Sequence, residues 1–90
     1  MKFEWNAGKN EVLKRTRGIS FELLVVAIEE GNVLDILDHP NIEKYPNQKV
    51  YVVKLLNKVF FIPVVYGKGS VFMKTAFRSR KLEKIYLGKR

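Results

Sequence analysis

The sequence predicts an α+β domain: an antiparallel four- to five-stranded sheet with two N-terminal helices and a short C-terminal helix, in the order β-α-α-β-β-β-β-α. Three observations predict it. Phe21, Leu24, Val25 and Ile28 recur at the i, i+3, i+4, i+7 spacing of a helix. Residues 49–78 instead hold β-branched and aromatic runs separated by short turn-forming pairs, the pattern of a meander. The 90 residues, 47% of them apolar, suffice for one core, so residues 1–90 are read as a single domain.

Taken in order, Phe3-Glu4-Trp5 reads as a short strand, with large β-favouring side chains around a carboxylate. Asn6 is placed to cap a helix running to about Arg17, where Gly18 in the left-handed conformation stops it and Ile19 can fold back onto Leu13. Ser20 caps the next helix, with Glu22 in the first turn favourable to its dipole. That helix is apolar over most of its circumference and reads as the central core helix, closed by Glu29-Glu30-Gly31-Asn32. Val33 to Asp38 fits a strand or a helical continuation, with strand preferred. His39-Pro40 ends it, because the residue before proline is pushed out of the helical region, and residues 40–48 form a loop.

The meander follows: Lys49 to Leu56, a turn at Asn57-Lys58, Val59 to Tyr66, a turn over residues 67–70, and Val71 to about Arg78. Pro63 cannot donate to a ladder and belongs at an edge or a bulge. Ser79 caps a last helix through about Leu87, ended by Gly88, and all the helices are expected on one face of the sheet.

Charge is unevenly spread. Lys and Arg total 17 against 9 Asp and Glu, a formal net charge of +8, which points to a polyanion or an acidic partner protein. Residues 1–60 are nearly balanced, whereas residues 61–90 carry Lys68, Lys74, Arg78, Arg80, Lys81, Lys84, Lys89 and Arg90 against Glu83 alone. These cations are interleaved with Phe72, Met73, Phe77, Leu82, Ile85 and Tyr86, which a solvated tail would not need. An unbroken third meander strand puts Lys74 and Arg78 on one face, with Arg80 continuing the parity, at about 7 Å per two residues. Lys81 and Lys84 add charge on the following helix.

Cysteine is absent, which excludes disulfides, thiolate metal sites and a cysteine nucleophile. Asp35, Asp38 and Glu43 have no metal-ligand spacing, and Gly67-Lys68-Gly69 is too short for a phosphate-cradling loop. His39 fits either a general base for a ribose 2′-hydroxyl or a local turn. Tyr86, set in the basic segment, suits base stacking or proton donation, while Trp5 reads as core. With no long apolar segment and no apolar leader, the expectation is a soluble cytoplasmic protein that does not engage a membrane.

Three stretches carry a resemblance to a known family. Lys2-Phe3-Glu4-Trp5-Asn6 with Lys9-Asn10 is similar to F-E-W-D-x-x-K-N, and Arg17-Gly18-Ile19-Ser20-Phe21-Glu22 to K-H-G-I-S-F-E. Ala76-Phe77-Arg78-Ser79-Arg80-Lys81, followed by a basic helix with Tyr86, is similar to an I-I-S-A-R-K segment and its tail. In these the chain resembles the BrnT family, ribonuclease toxins of type II toxin–antitoxin modules. The resemblance implies a RelE-like fold and a metal-independent, cofactor-free endoribonuclease that cleaves RNA and inhibits translation. It also implies a hetero-oligomer with a cognate ribbon-helix-helix antitoxin protein, DNA being reached only through that antitoxin.

For such chemistry Lys74 and Arg80 would surround the scissile phosphate, with Tyr86, or a lysine beside other cations, in proton transfer. Arg78, Lys81, Lys84, Arg17 and Lys9 would hold RNA, and His39 stays a possible acid/base. The chain departs from the pattern at Arg17, which replaces the junction histidine, at Arg78-Ser79, which replaces Ser-Ala, and in the loop at residues 40–48. The alternatives are a non-catalytic nucleic-acid-binding module with the same basic face, or an antitoxin-binding protein without activity.

Overall fold

A computed structural model describes residues 1–88. Its elements are β1 (Lys2–Trp5), α1 (Ala7–Arg17), α2 (Phe21–Glu29), β2 (Val33–Asp38), β3 (Gln48–Leu55), β4 (Lys58–Gly67), β5 (Ser70–Met73), β6 (Phe77–Arg78) and α3 (Arg80–Leu87). All three helices start on the expected caps. The side chains of Asn6, Ser20 and Ser79 accept from the backbone N–H of Lys9, Leu23 and Leu82, satisfying donors that the first helical turn leaves open. Gly18, with φ 65°, ends α1 in the left-handed conformation, and Ile19 and Leu13 are buried in one cluster.

The sheet runs β1-β5-β4-β3-β2, with β6 pairing β4 beyond the end of β5. The expected all-antiparallel sheet is corrected here, because β1 pairs β5 in parallel, Phe3 opposite Val71 and Trp5 opposite Met73. A meander pairs each strand with its neighbour in sequence. The first strand has no such neighbour, and it takes the free edge of β5, where Lys2 N–H donates to Gly69 O.

One face of the sheet carries Tyr51, Val53, Phe60, Ile62, Val64, Val71 and Met73, packed against Leu13, Ile19, Phe21, Leu24 and Ala27 of the two N-terminal helices. Trp5, expected in the core, is partly buried and packs against its margin, stacking on Phe21 with ring centroids 5.8 Å apart. Burial of these side chains is the main stabilising contribution, on the order of 2 kcal/mol for each large aliphatic or aromatic group. On the other face Val50, Val52 and Val59 are buried. The third helix lies over that face, since Tyr86 reaches Asp35, whose register partner is Val52. The expectation of all helices on one face is therefore corrected: α3 crosses to the far side.

The predicted third meander strand is broken, and Pro63 is the reason. Pro63 O accepts from Lys74 N–H at 2.9 Å, so Pro63 faces β5, but it has no N–H to return. The register slips by one residue there, from Val64 opposite Met73 to Phe61 opposite Phe77. Residues 74–76 fill the gap, and the resumed segment is the extra strand β6. A one-residue slip inverts the parity of every later side chain. Arg78 now pairs Phe60 on the core face, whereas Lys74, next to buried Met73, lies on the opposite one. The expected alignment of Lys74 with Arg78 is thus overturned.

The β3–β4 turn is also displaced by one residue, to Leu56-Asn57, with φ of 54° and 62°. Both values fit a type I′ hairpin, which favours Asn or Gly at each central position. Leu56, an exposed residue with a β-carbon, holds the left-handed conformation at a cost of about 1 kcal/mol. Leu56→Asn is expected to raise stability by about 0.5–1 kcal/mol in urea unfolding; an unchanged or lower midpoint would contradict the strain.

Candidate functional site

The last residue of α1, the first of β4, the second of β6 and the first of α3 meet at one end of the core face. There Thr16, Arg17, Lys58, Phe60, Arg78 and Arg80 line an open cleft of about 510 Å³. Phe60, only 2% exposed, is the apolar element of the lining, and the remaining side chains are cationic except for Thr16. Each cation is delivered by a local rule. Arg17 stands in the last turn of α1, where positive charge complements the carbonyl end of the helix. Lys58 shares the parity of Phe60 along β4. Arg78 arrives through the slip at Pro63, and Arg80 opens α3 directly after the Ser79 cap.

The position of α1 is itself clamped. Buried Asn10 accepts from Phe21 N–H at 2.8 Å and donates to Glu22 Oε1 at 2.7 Å. This bond is the first cause of the lowered Glu22 pKa. It also joins two of the stretches that carry the family resemblance, Lys9-Asn10 and Ser20-Phe21-Glu22, at one contact.

Beneath the cleft Glu83 is 3% exposed and accepts both guanidinium bonds of Arg78, at 2.7 and 2.9 Å. It also accepts from Val59 N–H at 3.2 Å. The hydrogen bond with Glu83 raises the pKa of Arg78 and fixes its planar head. Arg78 is therefore a partly neutralised wall of the cleft, and Arg17, Lys58 and Arg80 supply its excess charge.

Three of the residues expected from sequence, Arg17, Arg78 and Arg80, are brought together from far apart in the chain. Lys9 lines an adjoining hollow, and its Nζ donates to Lys74 O at 3.0 Å. The expected grouping of Lys74, Arg80 and Tyr86 is not formed, and this is a correction. Lys74 is on the opposite face, and the Tyr86 hydroxyl donates to Asp35 Oδ2 at 2.6 Å. That bond, then burial, raises the phenol pKa, and it engages the hydroxyl with β2 on the face away from the cleft. His39 Nδ1 accepts from Asn41 N–H at 2.9 Å and its ring packs against Tyr45, the arrangement of a local turn. Lys81 and Lys84 are exposed on α3, and Lys89 and Arg90 lie outside the described residues.

Lys58 was not visible as a site residue. Its signal was the alternation running back from Phe60, obscured by reading Lys58 as a turn residue. Among the described residues no three His, Asp or Glu side chains gather as a metal-binding group, and no helix is long and apolar enough to cross a membrane. Compared with protein-family models, with curated proteins and with solved structures, the chain matches none.

Two outcomes test this wiring. Glu83→Ala strands the Arg78 guanidinium and the Val59 N–H together, and is expected to lower the thermal midpoint by about 10 °C or more. A midpoint within a degree or two of the parent would show that the pair contributes nothing. The folded Tyr86 phenol has a raised pKa, so its bond adds stability below the ordinary tyrosine range and loses it as pH climbs through the raised value. In an absorbance titration Asp35→Asn should bring one late-titrating tyrosine down toward the ordinary range, and an unaltered curve would contradict the assignment.

Proposed function

We propose that this chain binds RNA in the cleft of Arg17, Lys58 and Arg80 and cleaves the strand held there without a metal, as the toxin of a toxin–antitoxin module. The observation that carries the reading is the convergence of these cations, with Arg78, around one opening in a protein of net charge +8. The BrnT-like stretches supply the reaction class, the inhibition of translation as its consequence, and the ribbon-helix-helix antitoxin as the partner. A protein that covers the cleft with carboxylates would inhibit it by occupancy.

The chemistry asks for charge more than for a special nucleophile. The ribose 2′-oxygen forms a bond to the adjacent phosphorus, the bond from phosphorus to the 5′-oxygen breaks, and a 2′,3′-cyclic phosphate and a 5′-hydroxyl result. The 2′-hydroxyl proton passes to solvent, and the departing 5′-oxygen takes up a proton. Negative charge grows on the non-bridging oxygens, so fixed guanidinium and ammonium groups stabilise the transition state beyond the ground state. Lys58, the amine among the lining residues, is the group there able to protonate the departing oxygen.

One observation favours a second reading, RNA binding without cleavage: among the described residues no carboxylate or imidazole lines the cleft, and Tyr86 is held by Asp35. Incubation with RNA in chelator separates the two. Fragments with cyclic phosphate ends, lost in Lys58→Ala and Arg80→Ala, are the expected result. Intact RNA retained by the protein, with a salt slope that falls by about 1 in Arg17→Ala, selects the binder. RNA neither cut nor retained would overturn both.

A further inference from the structure

We infer that the α3 face of the sheet, which α3 covers only in part, is a docking surface for an acidic amphipathic helix of a partner protein; this goes beyond the RNA reading and does not rest on it. From Val59 to Val65 every residue of β4 is apolar, on both faces of the strand. An unbroken apolar run belongs to a strand covered on both sides, whereas a face left to solvent alternates with polar residues. On the core side Phe60, Ile62 and Val64 are at most 2% exposed. The other side is not closed to match. β4 has 10 residues, about 33 Å of strand, and α3 has 8, about 12 Å of helix. That helix starts where Ser79 N–H donates to Val59 O and reaches Asp35, opposite Val52, so it crosses the face near the beginning of β4. Beyond it Phe61, Pro63 and Val65 stay half-buried, and Phe77 and Phe72, their neighbours on β6 and β5, are 39% and 40% exposed. These five side chains adjoin. Phe77 pairs with Phe61 and stacks on it at 5.2 Å between centroids, Phe72 pairs with Val65, and Pro63 stands between the two pairs.

Charge decides the occupant. Lys74, exposed on this face between Phe72 and Phe77, has its N–H on Pro63 O, and α3 exposes Lys81 and Lys84 over the same face. Among the described residues none of these three lysines joins an ion pair, and Glu4, paired with Phe72 across β1 and β5, is the carboxylate beside them. A second copy of the chain would set the same lysines against one another, and like charges facing across an interface oppose it. A nucleic-acid strand is drawn to the denser cations of the cleft, on the core side of the sheet. The remaining occupant is a protein layer, apolar toward the sheet and acidic along its flanks. Helices are the elements that cover sheet faces, and an amphipathic helix presents such a stripe at i, i+3, i+4 and i+7. Laid beside α3, it completes the layer that β4 calls for.

The test is fluorescence anisotropy with a labelled synthetic peptide of about 18 residues, leucine along the stripe and glutamate and glutamine elsewhere, beside a scrambled isomer of the same charge. The ordered peptide is expected to bind roughly tenfold more tightly than its isomer and to gain helical circular dichroism on binding. Phe72→Thr and Lys74→Glu should each weaken it about tenfold, whereas Arg17→Ala, in the cleft, should change it by less than about twofold. Val65→Thr, close to valine in volume, repeats the measurement should Phe72→Thr fail to fold. Equal or absent binding of the two peptides overturns the proposal, as does binding lost in Arg17→Ala but kept in Phe72→Thr. A dimer in sedimentation that Phe72→Thr dissociates would assign the face to a second copy instead. Single-stranded DNA whose binding falls in Phe72→Thr and not in Arg17→Ala would assign it to nucleic acid, and either result overturns the proposal.

Discussion

A proline without an N–H, set in the middle strand of the sheet, decides where the cations go. β4 is flanked by partners on both sides, and at Pro63 one of those partners loses a donor. The ladder cannot continue unbroken, so the chain inserts one residue and resumes as β6. That insertion turns Arg78 toward Phe60 and leaves Lys74 behind on the other face. It also ends the edge early, and the chain, free of β4 after Ser79, crosses the far face as α3. A residue able to donate at this position would permit the regular strand that alternation alone suggests, and with it a different basic surface.

Glu83 makes the result rigid. A carboxylate in the first turn of α3 is favoured by the helix dipole, and there it collects a bidentate guanidinium and a backbone N–H from the start of β4. Strand, helix and edge are thereby tied at one buried point, directly under the cleft. Burial of a charge carries a desolvation penalty of several kcal/mol, so the pair is better understood as fixing geometry than as adding net stability. At the opposite end of α3 the Tyr86–Asp35 bond does the same for β2. The helix that looked in sequence like a basic appendage is fastened at both ends.

Local rules were legible in the sequence and non-local ones were not. Asn6, Ser20 and Ser79 could be read as caps because a cap depends on three residues of context, and Gly18 as a stop for the same reason. The apolar period of α2 and the strands of the meander were readable to within a residue or two. The bulge was readable only as a possibility at Pro63, since whether proline sits at an edge or a bulge depends on what pairs it. The parallel pairing of β1 with β5 joins residues nearly the whole chain apart, and no pattern within either strand encodes it. In the site, Arg78 and Arg80 were named from charge and strand alternation, and Arg17 from the family-like stretch at the α1–α2 junction. Their company, and the presence of Lys58, follow from that same unreadable register.

The cleft has a cost that the fold itself does not explain. Arg17, Lys58 and Arg80 come from three elements and repel one another, and the buried carboxylate beneath them balances Arg78 rather than all of them. Sites where like charges gather against the interest of folding are where a counter-charge is expected from outside. Repulsion within the cleft would be offset by a ligand carrying negative charge, which is the physical reason to read this opening as an anion site.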